Sequence, residues 1–159
     1  MRLYSVVLTL FMTSITATAS PQTTDATALQ KVLQDRLNFA YGAVWSTKDP
    51  VKYADEFLTD DAIITASDGP AVYKGRKQTI ALVGELMKNF PSIKASAVYT
   101  KILSPTAALQ FVVFEAPGVD AAHKPTIDHA KSLYVWVKTS HGWRVAADHF
   151  SYTGMDAVP

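Results

Sequence analysis

Two ionisable side chains stand next to each other in the last strand-like run of the sequence. The run "GWRVAADHFS", residues 142–151, alternates as a half-buried strand does and then places Asp148 beside His149. Adjacent strand residues point to opposite faces of a sheet. One of the two therefore faces an interior and the other faces the exterior or a partner, and the run alone leaves open which is which.

Several other kinds of chemistry are disfavoured by the residue types. The chain has no cysteine, which excludes a disulfide, a thiol nucleophile and a cysteine metal site. No spacing of His, Asp and Glu matches a metal motif, so we expect neither a metal nor a cofactor. Ser132 cannot form a nucleophile triad with Asp148 and His149, because neighbours on one strand do not share a face. His123 and His129 lie in or near a loop. They could line the rim of a pocket or be exposed to solvent, and the sequence does not decide between the two.

The composition is that of one globular domain. The chain has 159 residues with a net charge of +1, from 15 basic and 14 acidic side chains, and 48% of its residues are hydrophobic. No basic run or stripe is present, so we expect no nucleic-acid partner.

The first residues have the pattern of a secretory signal peptide. Arg2 precedes an apolar run over residues 3–15, and Ala17-Thr18-Ala19 fits the small-residue cleavage rule. A membrane anchor is the alternative, but the run is short and interrupted by serine and threonine. The sequence predicts a signal peptide over residues 1–19, a flexible lead-in over 20–25, and a secreted or periplasmic protein without membrane association after cleavage.

Helical periodicity dominates the first half of the mature chain, and strand-like runs follow. Apolar residues recur at helical spacing over 26–46, Asp49 and Pro50 are suited to begin a second helix, and a third is predicted over 76–90. A strand begins at "DDAIIT", and Val72 and Tyr73 form a shorter one. Four long strands are predicted at 93–103, 107–116, 130–139 and 142–152. This order predicts an α+β domain over residues 26–154, with a strongly bent antiparallel sheet packed on three N-terminal helices and a tail over 155–159.

Three phrases in this order resemble the nuclear transport factor 2-like superfamily over residues 26–154. "FLTDDAIIT" resembles the loop-to-strand junction of ketosteroid isomerases and SnoaL-like proteins, and "VYKGRKQTI" resembles a helix start common in these families. "YVWVKTSHGWRVAADHFS" resembles the closing hairpin of SnoaL-like proteins and of calcium/calmodulin-dependent kinase II association domains. The resemblance implies a cone of curved sheet around three helices. Such a fold carries many functions, so function has to be argued from the site.

Of the three catalytic groups of a ketosteroid isomerase, this sequence has one at the matching position. Ketosteroid isomerases use a carboxylate base, with a tyrosine and a protonated acid that stabilise an enolate oxygen. The resemblance places Tyr41 at the tyrosine position. The base position falls at Ala66, for which Asp68 could substitute only if its turn folds inward, and the second acid falls near Ser132 or Leu133.

The resemblance also assigns the inner face of the last two strands. In the relatives the position of Phe150 faces the pocket, so alternation puts Asp148 on that face and His149 on the other. The pocket arginines of the association domains correspond to Tyr134 and Phe150, so an arginine-lined anion pocket is not expected. The expected ligand-binding residues are mostly apolar: Trp45, Phe111, Val113, Ser132, Tyr134, Trp136 and Phe150. Burial among them would raise the pKa of Asp148 and make it a general acid or base, with Tyr41 as a hydrogen-bond donor.

Three functions remain open on the sequence alone. The first is a cofactor-free isomerase, dehydratase or cyclase acting on a small, neutral, largely apolar molecule. The second is a ligand-binding module without chemistry, and the third is a dimeric assembly module. The outward positions Trp143, Val145 and His149 are apolar enough to predict a homodimer through the convex face of the sheet.

Overall fold

The structure is a computed structural model that describes residues 22–67, 69–119 and 123–152. The predicted signal peptide, residues 1–19, the predicted tail, residues 155–159, and Asp68 lie outside the described residues. No helix in the described ranges is long and apolar enough to cross a membrane. The first helix begins at Gln22, so it includes part of the segment that the sequence predicted as a flexible lead-in.

The first helical segment continues from Gln22 to Thr47 through three kinds of helix. Helix α1, Gln22–Asn38, continues into a π-helical turn, Phe39–Val44, and then a 3₁₀ turn, Trp45–Thr47. The segment ends at Lys48, whose left-handed backbone (φ 57°) interrupts the helical path. The buried residues follow helical spacing, as the sequence predicted, and are Leu33, Leu37, Ala40 and Val44.

Two shorter helices complete the helical layer. Helix α2, Pro50–Phe57, begins where predicted, because the Asp49 carboxylate accepts hydrogen bonds from the backbone N–H groups of Val51 at 2.9 Å and Lys52 at 3.0 Å. Helix α3, Gly75–Asn89, packs against α2 and the sheet.

Six strands form one strongly curved, unclosed sheet in the order β2-β1-β6-β5-β4-β3. Their bounds are β1 Leu58–Ala66, β2 Val72–Lys74, β3 Lys94–Ser104, β4 Ala107–Val119, β5 Pro125–Thr139 and β6 Gly142–Tyr152. The α+β cone is confirmed, but the sheet is mixed, because β1 runs parallel to β6. These two strands are joined by the rest of the domain and not by a hairpin turn, so no short connection forces them to be antiparallel.

The strand register decides which side chains face the helices. Asp148 on β6 pairs with Tyr134 on β5, which in turn pairs with Gln110 on β4, so the three share the concave face. The core fills the space between this face and the helices, and includes Phe57 and Trp136 with no exposed surface. The next residue along each strand belongs to the convex face.

Candidate functional site

A cavity of about 80 Å³ lies between the concave face of the sheet and the helices. Its wall is mostly aromatic and aliphatic, with contributions from Trp45, Phe57, Val83, Leu86, Phe90, Ile93, Phe114 and Phe150. Its inner polar groups are the side chains of Tyr41, Tyr53, Ser132, Tyr134 and Asp148. The cavity therefore offers a few polar atoms in an apolar enclosure, which is the usual composition of a small-molecule site.

Three tyrosine hydroxyls meet at one side of the cavity. The Tyr53 hydroxyl donates to the Tyr41 hydroxyl at 2.9 Å, and the hydroxyls of Tyr41 and Tyr134 lie 2.5 Å apart. The three come from α2, the π-helical turn and β5, so tertiary packing brings them together. Edge-on contacts of the Tyr41 ring with Tyr53 and Phe114 help hold its orientation.

The hydroxyls of this cluster stay protonated over the ordinary pH range. Burial raises the pKa of Tyr41, the charge on Asp148 raises it further, and the hydrogen bonds with Tyr134 and Tyr53 act in the opposite direction. Burial is also the main cause that raises the pKa of Tyr53 and of Tyr134. The cluster can therefore donate hydrogen bonds to a ligand oxygen but cannot act as a base near neutral pH.

Asp148 is the acid of the cavity. Burial raises its pKa from the usual 3.8 to about 7. The Ser132 hydroxyl acts in the opposite direction, although its Oγ does not reach hydrogen-bonding geometry with the carboxyl group. Asp148 Oδ1 and Ser132 Oγ are both buried without a hydrogen-bond partner, and both residues line the cavity. An unpartnered carboxyl oxygen beside an unpartnered hydroxyl marks this end of the cavity as suited to a polar ligand atom.

Most of the residues that the sequence predicted for the site line this one cavity. Asp148 and Tyr41, the predicted catalytic pair, both do so, as do Ser132 and Tyr134. The predicted apolar members Trp45 and Phe150 also line it, and Trp45 is fixed by a hydrogen bond from its indole Nε1 to the Phe90 carbonyl oxygen at 2.9 Å.

The structure places Phe111 and Val113 away from the cavity, which corrects their assignment. They lie on the convex face and are 46% and 37% exposed. The reason is the register of β4, in which Gln110 and Val112 pair with the inward residues Tyr134 and Ser132. The large apolar residues of β4 occur on both faces, so size alone indicated the wrong one; Phe114 is the member that lines the cavity.

Trp136 also lies outside the cavity lining, although it faces inward as predicted. It is fully buried in the core, where its ring packs edge-on against Phe57 at 5.3 Å between centroids. Its indole Nε1 donates to Gln110 Oε1 at 3.1 Å, and Gln110 Nε2 donates to Thr100 Oγ1 at 3.2 Å. Trp136 therefore packs against the cavity-lining residues Phe57 and Tyr134 without lining the cavity itself.

The histidines occupy different places. His149 is exposed on the convex face, as alternation predicted, and its Nδ1 lies 2.9 Å from Thr65 Oγ1. His129 and Asp128 lie at the cavity margin, at the start of β5. Within the described residues, no group of three or more His, Asp and Glu side chains is arranged to hold a metal ion.

Sequence reasoning missed Tyr53, the third hydroxyl of the cluster. The spacing of Tyr53 and Phe57, four residues apart on α2, puts both on one helix face, and Phe57 is fully buried in the core. That spacing was the available signal. Phe90, Ile93 and Tyr152 were missed because the chain between α3 and β3, and the end of β6, meet at the cavity only through the curvature of the sheet.

The sequence matches no protein-family profile. It also matches no curated protein sequence. Similarity appears in the fold, where many solved structures match the chain.

Three of these structures represent the range of neighbours. A nuclear transport factor 2-like superfamily protein from Salmonella enterica has a TM-score of 0.60 at 17% identity, covering 84% of this chain and 99% of its own. A ketosteroid isomerase-like protein from Erwinia carotovora atroseptica has a TM-score of 0.59 at 17% identity, with coverage of 77% and 95%. The association domain of CaMKII from C. elegans has a TM-score of 0.56 at 16% identity, with coverage of 82% and 96%.

These similarities support the fold only, because at such low sequence identity the role of a residue in one protein cannot be assigned to another. The neighbours are of the same kinds as those indicated by the phrases around "FLTDDAIIT" and the closing hairpin. The chain has the nuclear transport factor 2-like fold.

Proposed function

We propose that this protein binds a small neutral carbonyl compound in the cavity and moves a proton on it without a cofactor, as an isomerase or dehydratase would. The observation that carries the proposal is the pair of unpartnered buried oxygens, Asp148 Oδ1 and Ser132 Oγ, in the same cavity as the three tyrosine hydroxyls. The residues offer an acid and hydroxyl groups, and no lysine or arginine lines the cavity among the described residues. A neutral ligand is therefore favoured over an anionic one.

The roles follow from the protonation states. With a pKa of about 7, Asp148 is partly ionised near neutral pH, so it can accept a proton from a carbon next to a carbonyl group and return it elsewhere. The developing negative charge falls on the carbonyl oxygen, which either Tyr41 or Tyr134 can stabilise by donation, because the hydrogen of the other hydroxyl is used in the bond between them. Return of the proton to a different carbon shifts a double bond. Return of the proton to a β-hydroxyl group expels water.

The size of the cavity limits the ligand. A volume of about 80 Å³ is below the range of about 300–1,000 Å³ of ordinary ligand pockets. The ligand is therefore a compound of few non-hydrogen atoms, or one whose reactive end enters while the rest lies along the margin formed by Asp128, His129 and Tyr152.

The test is proton exchange with solvent. The purified protein is incubated in D₂O with a series of small neutral ketones and enones, and deuterium uptake next to the carbonyl is followed by NMR. We expect catalysed uptake by the wild type and a loss of about 10² or more in Asp148→Asn, the usual effect of removing a general base. Asp35→Asn, at an exposed ion pair on α1, is the matched control and keeps the wild-type rate.

Tyr41→Phe tests the contribution of the hydroxyl cluster. It removes one neutral hydrogen bond, which corresponds to about 1 kcal/mol and about a fivefold weaker affinity. Saturable binding of a ketone by the wild type with no deuterium uptake would mean a binding module. Absence of both binding and uptake across the series would reject the site.

A second candidate is dimeric assembly through the convex face. The register aligns Tyr99, Phe111, Leu133 and His149 in one row across four strands on that face. Tyr99 and Phe111 are 54% and 46% exposed. An exposed apolar row of this kind is typical of an interface. This candidate is compatible with the first, because the two faces of the sheet are separate.

A further inference from the structure

One part of the cavity wall is a short segment of irregular chain. Residues 90–93 connect α3 to β3 and belong to neither. Phe90 and Ile93 line the cavity, whereas Pro91 and Ser92 between them are exposed. The wall between the cavity and solvent is therefore one residue thick here. We call residues 90–93 the gate segment.

Two side chains from the end of the first helical segment hold the gate segment in place. The indole Nε1 of Trp45 donates to the carbonyl oxygen of Phe90 at 2.9 Å. Lys48 Nζ donates to the carbonyl oxygen of Pro91 at 2.5 Å and to that of Phe90 at 3.3 Å. The backbone N–H of Phe90 donates to the Leu86 carbonyl oxygen at 2.8 Å and so belongs to the end of α3. The bonds from Trp45 and Lys48 thus hold the stretch that lies beyond this helix.

Lys48 reaches the gate segment because its backbone leaves the helical path. Its φ of 57° lies in the left-handed region, which is uncommon for residues other than glycine. Its N–H still donates to the Trp45 carbonyl oxygen at 3.1 Å, and its Nζ lies 5.9 Å from the centroid of the Trp45 ring. Both side chains therefore reach the same carbonyl oxygen, that of Phe90. A lysine in a conformation that suits glycine points to a role for its side chain.

The contacts that close the gate segment can be exchanged for water. Lys48 is exposed, so an outward movement of the segment would hydrate its ammonium group and the carbonyl oxygens of Phe90 and Pro91. Because water replaces these hydrogen bonds, their net contribution is small. On the inner side, the Phe90 ring stacks on Tyr152 with 6.0 Å between centroids. Opening of four residues therefore costs much less free energy than unfolding of the domain.

We propose that the gate segment opens and closes as the entrance of the cavity, and that Lys48 is the positioning residue that holds it closed. In the closed state, Phe90 and Ile93 complete the apolar wall and exclude water from the space beside Asp148. In the open state, a small molecule passes between α3 and β3 into the cavity. The proposal concerns access alone, so it can fail while the proposed proton transfer holds, and the reverse is also true.

The experiment measures hydrogen exchange of two indole groups in the full chain. The ¹⁵N-labelled wild type is transferred to D₂O, and the Nε1–H signals of Trp45 and Trp136 are followed by NMR at several urea concentrations below the unfolding transition. The Trp45 hydrogen exchanges when its bond to the gate segment breaks. Trp136 is fully buried, and its Nε1 donates to Gln110 Oε1 at 3.1 Å, so its hydrogen reports unfolding of the core.

The two indoles are expected to differ in rate and in their response to urea. Exchange at Trp45 should be faster by about 10² or more, since a local opening costs only part of the free energy of global unfolding. It should hardly change with urea, because opening exposes little surface, whereas exchange at Trp136 accelerates with urea. Equal rates with the same urea dependence would overturn the proposal, because the gate segment would then move only when the domain unfolds.

Two variants test Lys48. Lys48→Met removes the ammonium group and keeps an unbranched side chain, and it should accelerate exchange at Trp45 by about fivefold, as for the loss of one hydrogen bond. Exchange at Trp136 should stay as in the wild type. Lys52→Met, at an exposed lysine on α2, is the matched control and should change neither rate. Unchanged exchange at Trp45 in Lys48→Met, or equal acceleration at both indoles, would show that Lys48 does not hold the segment closed and would overturn the proposal.

Discussion

At the scale of single residues, the raised pKa of Asp148 affects both the stability of the fold and the proposed proton transfer. A carboxyl group that is buried without a full set of hydrogen bonds holds its proton more tightly in the folded than in the unfolded chain. Its folded pKa of about 7 exceeds the usual 3.8, so between these values the native state binds more protons than the unfolded state. Stability therefore falls as pH rises through this window, and the loss is complete above about pH 7.

The predicted size of this effect is large enough to measure. One pKa step corresponds to 1.36 kcal/mol, so the rise from 3.8 to about 7 corresponds to a loss of about 4 kcal/mol between pH 4 and pH 8. Asp148→Asn removes this contribution, and we expect it to be more stable than the wild type at pH 8 and close to it at pH 4. Urea unfolding at both pH values measures the difference. A wild type and variant that keep the same difference at both pH values would show that Asp148 is ionised in the native state.

The sequence predicted the faces of Asp148 and His149 correctly, because alternation within one strand decides them. The same strand also gave a wrong prediction: Trp143 and Val145, expected on the convex face, are buried in the core, because a bulge shifts the register between Val135 and Trp136.

The hydroxyl cluster could not be found from the alternation of a strand. Tyr41, Tyr53 and Tyr134 are far apart along the chain, and their meeting depends on how two helical segments pack onto β5.

At the scale of elements, α2 carries Tyr53 to the cavity, and its first turn depends on one cap. Asp49→Ala removes the carboxylate that accepts from two backbone N–H groups. We expect a loss of about 1 kcal/mol in the free energy of unfolding, because two helix N–H groups lose their side-chain acceptor. Urea unfolding measures it. Asp49→Ser keeps a cap and retains most of the stability, and equal losses in both variants would argue against capping as the cause.

The helices and strands could be predicted because buried residues recur at a different spacing in each. Helical spacing of buried residues places the first helical segment, and the Asp49-Pro50 pair places the start of α2. The pairing of β1 with β6 could not be predicted, because no short turn links them and either direction satisfies the apolar pattern of β1. The face assignment of β4 failed for a related reason, since Phe111 and Phe114 are equally suited to a core and only the register separates them.

At the scale of the whole molecule, the concave and convex faces of the sheet have separate roles. The concave face packs on the helices and encloses the cavity, whereas the row of Tyr99, Phe111, Leu133 and His149 is on the side without helices. Val113 and Ile63 extend the apolar part of that outer surface. Burying such an apolar surface against the same surface of a second copy lowers the free energy of the protein. A two-fold interface brings each row against its equivalent in the other copy.

The last prediction tests this interface. Phe111→Glu places a charge in the row without touching the cavity, so we expect a monomer with the wild-type fold, because burying an unpaired carboxylate between two copies is costly. Val32→Glu is the matched control, since Val32 is 45% exposed but lies on α1. Light scattering after size exclusion at micromolar concentration gives the mass, and circular dichroism checks the fold. A dimeric wild type and Val32→Glu beside a monomeric Phe111→Glu would place the contact on the convex face. A monomeric wild type, or a Phe111→Glu variant that remains dimeric, would exclude that interface while leaving the cavity chemistry untouched.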